Sequence, residues 1–162
     1  MNEIMQKYSF RQASAADLSK LDEIRQEKLH KLHLGRLEEQ KKGQSEYIIA
    51  FVNENPVGHI FILYGRDDRH PFYPQFQDLF VKESMRGQGI AIKMLLDAEK
   101  RVRNRDFHEV YLEYEITKPQ LKKFYENRGY LLLGGPYDET WGNFKRKGRS
   151  ERATVYRMSK KL

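Results

Sequence analysis

The chain has 162 residues, 39% of them apolar, with ten Tyr, nine Phe and the single Trp141; that is enough for one domain with its own core and too aromatic for a disordered chain. It has no cysteine, which excludes a disulfide framework, a thiolate nucleophile and a cysteine metal site. There is no membrane-length apolar run and no basic-then-apolar start of a signal peptide, so a soluble, cytoplasmic protein is expected. The formal net charge is +7, with eight Lys/Arg against three Asp/Glu between Tyr137 and Leu162; this suits a polyanionic ligand, either nucleic acid or a phosphorylated cofactor, and equally serves solubility.

In chain order, Tyr8–Gln12 alternates as a first strand. Ser14 is a plausible N-cap with Asp17 in the first turn, and Leu18, Leu21, Ile24, Leu29, Leu32 and Leu37 recur at helical spacing. This predicts one long helix or two, with a break near Gly35. Tyr47–Val52 and Val57–Tyr64 are strands joined by the turn chemistry of Asn53–Pro56, a hairpin. The segment from Gly65 to Pro74 is a charged, proline-bearing loop, and Phe76–Val81 is the next strand.

From Ile90 the period changes. Ile90, Met94, Leu95, Ala98 and Val102 share one helical face, and Asn104 is a reasonable stop. Glu109–Ile116 alternates again as a strand. Thr117 can cap a helix whose first positions hold Lys118 and Pro119, with Leu121, Phe124 and Tyr125 on it and Gly129 ending it. Tyr130–Leu133 is a strand, a loop rich in Gly, Lys and Arg follows, and Ala153–Met158 closes the sheet. No repeat or linker divides the chain, so a single mixed α/β sheet is the economical reading.

Arg86-Gly87-Gln88-Gly89-Ile90-Ala91 lies between a strand and a helix. Glycines there permit a tight turn and close approach of a ligand to the main chain. The first amides of the helix have no partner within it and carry the positive end of its dipole, which suits a pyrophosphate. A Walker loop is excluded, because Ile90-Ala91 stands where Lys-Ser/Thr is needed. A dinucleotide fingerprint is excluded as well, because Ile92 occupies the third-glycine position.

The segment from Phe76 to Leu96 resembles motif A of the GNAT superfamily of N-acetyltransferases, whose signature Gln/Arg-x-x-Gly-x-Gly/Ala is met by Arg86, Gly89 and Ala91. The segment from Lys118 to Tyr130 resembles motif B, ending in Phe124-Tyr125-x-x-x-Gly129-Tyr130. Element order matches from Tyr8 to Met158, although Lys118 stands where motif B often carries asparagine. The resemblance implies a GNAT fold over residues 1–162 as a single domain: a mixed, mostly antiparallel sheet of about seven strands flanked by about four helices, with strands 4 and 5 splayed.

The resemblance further implies acetyl-CoA as co-substrate, with pantetheine against the main chain of Phe80 and Val81 and pyrophosphate on the amides from Gly87 to Ala91. Phe124 would border the cofactor, and a main-chain N–H near Val81 would stabilise an oxyanion. An amine would attack the thioester directly in a ternary complex. Tyr125 is then the expected general acid. Asp78, in a Gln-Asp-Leu-Phe-Val context similar to that of polyamine acetyltransferases, is the first choice of base, with Glu113, Glu115 and water as alternatives. The acceptor is a small-molecule or peptide amine, and family habit makes a homodimer plausible.

Other features attract less weight. His30 and His33 have no third ligand at matching spacing, so no metal site is expected and both are placed at the surface. His108 is expected at an exposed strand edge. Tyr137 and Trp141 either shape an acceptor pocket or simply pack. The Lys145–Arg149 cluster is read as a solvated loop, with nucleic acid the less favoured ligand. The rival to an enzyme is a domain that senses acetyl-CoA without turnover.

Overall fold

A computed structural model describes residues 5–25, 29–65, 72–146 and 149–162, with backbone alone at 139–146 and 149–152. Its seven strands are β1 (Tyr8–Gln12), β2 (Ser45–Val52), β3 (Asn55–Leu63), β4 (Gln75–Val81), β5 (Glu109–Glu115), β6 (Leu131–Arg146) and β7 (Arg149–Lys161). They form one sheet in the order β1-β2-β3-β4-β5-β7-β6. Every neighbouring pair is antiparallel except β4 and β5. The described helices are α1 (Leu18–Ile24), α2 (His30–Lys41), α3 (Ile90–Asn104) and α4 (Gln120–Glu126). This is the expected mixed α/β architecture.

Alternation along β2 and β3 sends side chains to two separate cores. Tyr47, Ile49, Phe51, Phe61 and Leu63 pack with Leu21 and Ile24 of α1 and Leu37 of α2. Ile48, Ala50, Ile60 and Ile62 pack on the opposite face with Ile90, Met94, Leu95, Ala98 and Val102 of α3 and Tyr125 of α4. Each fully buried aliphatic side chain contributes on the order of 1.5–3 kcal/mol. Gly58 lets α3 approach: a Cβ there would lie 2.6 Å from the Phe80 carbonyl oxygen and 2.9 Å from Met94 Sδ.

Some expectations are corrected. α1 ends at Ile24, with Arg25 in extended backbone, and Gly35 lies inside α2. The N-cap of α4 is Pro119 rather than Thr117, whose hydroxyl donates to Glu115 at 3.1 Å. Much of the expected glycine- and lysine-rich loop is strand, because β6 and β7 continue as a long antiparallel arm with three register shifts.

Strands β4 and β5 touch only briefly. They pair at Gln75 with Tyr111 and at Phe76 with Leu112, where the Tyr111 N–H also donates to the Pro74 carbonyl at 2.9 Å. Beyond that point β4 stays with β3 as far as Val81 opposite Gly58. β5 stays with β7 as far as Glu115 opposite Val155. The carboxyl ends of two adjacent parallel strands therefore part, and the sheet opens between them.

Candidate active site

The opening depends on a bulge. Phe61 faces Gln77 and His59 faces Phe80, so Asp78 and Leu79 share the single partner position of Ile60. Asp78 takes φ 52°, a left-handed conformation that Asp tolerates better than most residues. The extra residue changes which edge of β4 each amide serves. Before it, even-numbered Pro74 offers its carbonyl to β5. After it, even-numbered Lys82 donates its N–H to Val57 of β3 at 2.7 Å. Val81, in the non-hydrogen-bonded position opposite Gly58, therefore directs its N–H into the gap.

Arg86 closes one side of this ledge. Its Nε donates to the Val81 carbonyl at 2.9 Å, and its guanidinium carbon lies 5.1 Å from the centre of the Phe80 ring. The arginine is thereby fixed where the strand turns toward the helix. Gly87 and Gly89 follow at φ 81° and 77°, each with open space where a Cβ would stand. Gly89 caps α3 and its carbonyl accepts the first helical bond, from Lys93 at 3.2 Å. The amides of Ile90, Ala91 and Ile92 precede that bond, as the first turn of a helix requires. Gln88 is exposed beside them, while buried Ile90 anchors the turn to the core.

α4 brings Phe124 and Tyr125 to the same side of the sheet. The Tyr125 ring meets Phe124 and Tyr130 edge-on, at 5.1 and 5.6 Å between centroids. Burial pushes its phenol up to about 12, so it stays protonated and able to donate. Its hydroxyl makes no hydrogen bond to another described residue.

The candidate carboxylates lie on β4 and β5 as expected, and each has polar partners. Asp78 Oδ1 accepts from Arg25 Nη1 at 2.8 Å and Oδ2 from Arg36 Nη1 at 2.6 Å. These guanidiniums hold its carboxyl well below the usual range, against the opposing effect of burial, the largest single influence on it. A carboxylate so stabilised is a weak proton acceptor, which argues against Asp78 as the base. Glu113 is bound to Arg157, whose Nη2 donates to Oε1 at 2.8 Å. Glu115 accepts from Thr117 and lies 3.9 Å from Lys118 Nζ.

Beneath Asp78 lies a polar cluster that hydrophobic periodicity did not reveal. His30 is exposed and pairs with Asp22 at 2.8 Å, but His33 is fully buried rather than at the surface. Its Nδ1 is 2.7 Å from the Tyr47 hydroxyl. His59 is fully buried too, with Nδ1 3.2 Å from the Asp78 carbonyl oxygen. Burial, the largest influence on each, pushes His33 down to about 4 and His59 down to about 3. Both rings are therefore neutral at pH 7. His59 Nδ1 then carries its proton toward the carbonyl, which can only accept.

On β7, the Arg157 guanidinium carbon sits 4.2 Å from the Phe72 ring centre and 4.9 Å from that of Tyr137. Tyr137 lies on β6 opposite Val155, while the Trp141 side chain and the Lys145–Arg149 cluster fall outside the described side chains. His108 is exposed just before β5. Among the described residues no three His, Asp or Glu are grouped to hold a metal, and no helix is long and apolar enough to cross a membrane.

Comparison with known proteins gives a consistent picture. A family model described as an acetyltransferase (GNAT) domain matches residues 13–144. The chain is 39% identical over 72 residues to acetyltransferase Atu2258 of Agrobacterium fabrum, a match covering 44% of this chain and 50% of that protein. It therefore spans about half the length of that curated relative. Among solved structures, the PaiA N-acetyltransferase of Thermoplasma acidophilum in complex with coenzyme A is similar at TM-score 0.70 and 16% identity, over 96% of this chain and 99% of that one. The structure of yncA from Salmonella typhimurium with its cofactor acetyl-CoA is similar at TM-score 0.70 and 15% identity, over 96% and 94%. At such identities the likeness is one of fold.

Proposed function

We propose that this chain, which belongs to the GNAT family of acetyltransferases, is an N-acetyltransferase that moves an acetyl group from acetyl-CoA to a primary amine. One observation carries the reading: the bulge at Asp78 turns the Val81 amide into the gap between β4 and β5, beside a glycine turn that opens the amides of α3. The residues present fit the co-substrate. Open space at Gly87 and Gly89, the helix N-terminus and the anchored Arg86 suit a pyrophosphate, and the free edge of β4 suits the amides of pantetheine. Solved structures of this fold holding coenzyme A or acetyl-CoA support the assignment.

Acetyl-CoA supplies an activated acyl group, so the protein's own task is positioning and charge stabilisation. The Val81 N–H donates to the carbonyl oxygen as negative charge develops there. Phe80, Val81 and Phe124 border the acyl end, and Arg86 to Ala91 border the phosphates. Tyr125 donates from α4 to the departing sulfur as the general acid. An alkyl ammonium with pKa near ~10 must lose a proton before it attacks. We assign that proton to water at the mouth of the gap, with Glu115 less encumbered than Asp78 or Glu113. Because Asp78 and Glu113 are neutralised by arginine, the acceptor is better sought among small or peptide amines than among polycations. Residues 1–162 act as a single domain, working in the cytoplasm.

The test is Tyr125→Phe assayed with a panel of amines, following thiol release and measuring coenzyme A affinity separately. A fall in kcat of about 10²-fold or more with affinity retained supports the general acid. Binding of coenzyme A by the wild type with no turnover on any amine would make the protein a sensor and sink the enzymatic reading.

A further inference from the structure

We infer that Asp78 is a positioning residue: with Arg25, Arg36 and His59 it clamps the β4 bulge and so fixes the direction of the Val81 amide. The inference rests on the proposed acetyl transfer only for its kinetic consequence, since the clamp itself is a feature of the protein alone.

The bulge has a cost and needs a holder. A residue with a side chain at φ 52° sits in strained backbone. The strain persists where surroundings over-determine it, and here both polar ends of Asp78 are held. Its carboxylate is gripped by Arg36 from α2 and by Arg25 just after α1. Its carbonyl oxygen receives His59 Nδ1–H from β3.

The holders are themselves fixed. The Arg36 guanidinium carbon lies 5.4 Å from the Tyr47 ring centre and 5.3 Å from that of Phe61. That of Arg25 lies 4.7 Å from the Phe80 ring centre. The His59 ring stacks on Phe80 at 5.6 Å and meets His33 edge-on at 5.7 Å. The bulge is thus tied to α2, to the exit of α1 and to β3, with Phe80 packed beneath the same contacts.

The consequence is directional. Continued without a bulge from Phe61 opposite Gln77, the register would place Val81 opposite Val57. That position is hydrogen-bonded, as the bond from Lys82 to Val57 shows. The Val81 N–H would then be spent on β3, and the gap would lose its donor. A one-residue change of phase decides whether the site has an oxyanion donor at all.

Asp78→Asn keeps the shape and the tolerance of left-handed backbone but removes the charge. Arg36→Met removes its strongest partner from another element, and Arg25→Lys conserves charge at the more exposed end. Amide hydrogen exchange on each folded variant reads the clamp directly. Faster exchange at Phe80 and Lys82, whose amides face β3, in Asp78→Asn and Arg36→Met, with β2 and β5 unchanged and wild-type-like exchange in Arg25→Lys, supports it. Unchanged exchange at those amides overturns it, whether or not any amine is turned over. With an active acceptor, Asp78→Asn and Arg36→Met are expected to lower kcat by about tenfold or more. The double variant should be no worse than the poorer single one, and the pH profile should keep its shape. Loss of a limb in the pH profile of Asp78→Asn alone, with Arg36→Met as active as wild type, would make Asp78 a base and overturn the inference.

Discussion

The hydroxyl of Tyr130 donates to Oε1 of Glu99 across 2.9 Å in the buried space between α3 and the end of α4. Glu99 is only 2% exposed, and Lys160 Nζ reaches both of its oxygens at 3.1 and 3.0 Å. This triad ties the helix that begins at the glycine turn to β7. Tyr130→Phe is expected to cost about 1.5–3 kcal/mol, the loss of one hydrogen bond to a charged group. Lys160→Met should cost more, because it leaves a buried carboxylate uncompensated. Chemical denaturation orders the two variants, and a smaller loss for Lys160→Met than for Tyr130→Phe would show the lysine to be dispensable.

Two glycines near the cofactor face should fail in different ways. At Gly89 a methyl group meets nothing within 4 Å but the backbone is left-handed at φ 77°, so Gly89→Ala is expected to cost about 1 kcal/mol and to weaken coenzyme A binding several-fold. At Gly58 the new Cβ meets the Phe80 carbonyl oxygen at 2.6 Å. Gly58→Ala forces β4 and α3 apart and should cost about 3 kcal/mol or more. Thermal unfolding with and without coenzyme A separates them. A large loss of stability in Gly89→Ala with ligand affinity intact would reverse the assignment.

The glycine turn and α3 were legible because their signals are local. The apolar stripe from Ile90 to Val102 and the glycines just before it placed both ends of α3. The polar cluster around Asp78 was less so, because its key contacts are long-range. Arg36 meets Asp78 across 42 positions and His33 meets Tyr47 across 14, and periodicity assigns such polar residues to the surface. The bulge left only a faint trace, the doubled pairs Gln77-Asp78 and Leu79-Phe80 where strict alternation should hold. The middle of the β6–β7 arm, between Leu133 and Ala153, was read as loop because its composition favours turns, and cross-strand pairing overrode that preference.

The pH profile of transfer should be set by the acceptor rather than by Tyr125. Its phenol, pushed up to about 12 by burial, does not titrate across the working range, and Asp78 is already ionised throughout it. For an alkyl amine of pKa near ~10, kcat/KM is expected to rise about tenfold per pH unit from pH ~6 to ~9. An acceptor amine of lower pKa should move the plateau downward by the same amount. Initial rates with two such amines decide the matter, since a plateau that stays at one pH for both would place the controlling group on the protein.

Acid stability offers a separate check on the buried imidazoles. His33 and His59 fall from an ordinary value of 6.5 to about 4 and about 3 in the folded protein. Below pH 6.5 the unfolded chain takes up protons that the folded chain refuses. Their neutral burial is thus fully tolerated above that pH and penalised as the pH falls toward 4. Each ring adds a slope of up to about 1.4 kcal/mol per pH unit within its window. Asp17 and Asp78, both lowered by arginine partners, add to the loss in the same direction, but only below their ordinary value of 3.8. Stability should therefore be flat from pH 8 to 7 and fall steadily between pH 6 and 4. His33→Gln, which keeps a polar group near Tyr47 without a titrating ring, should reduce that slope even where it lowers stability at pH 7. An unchanged slope in His33→Gln would mean that the imidazole is protonated in the folded protein at little cost.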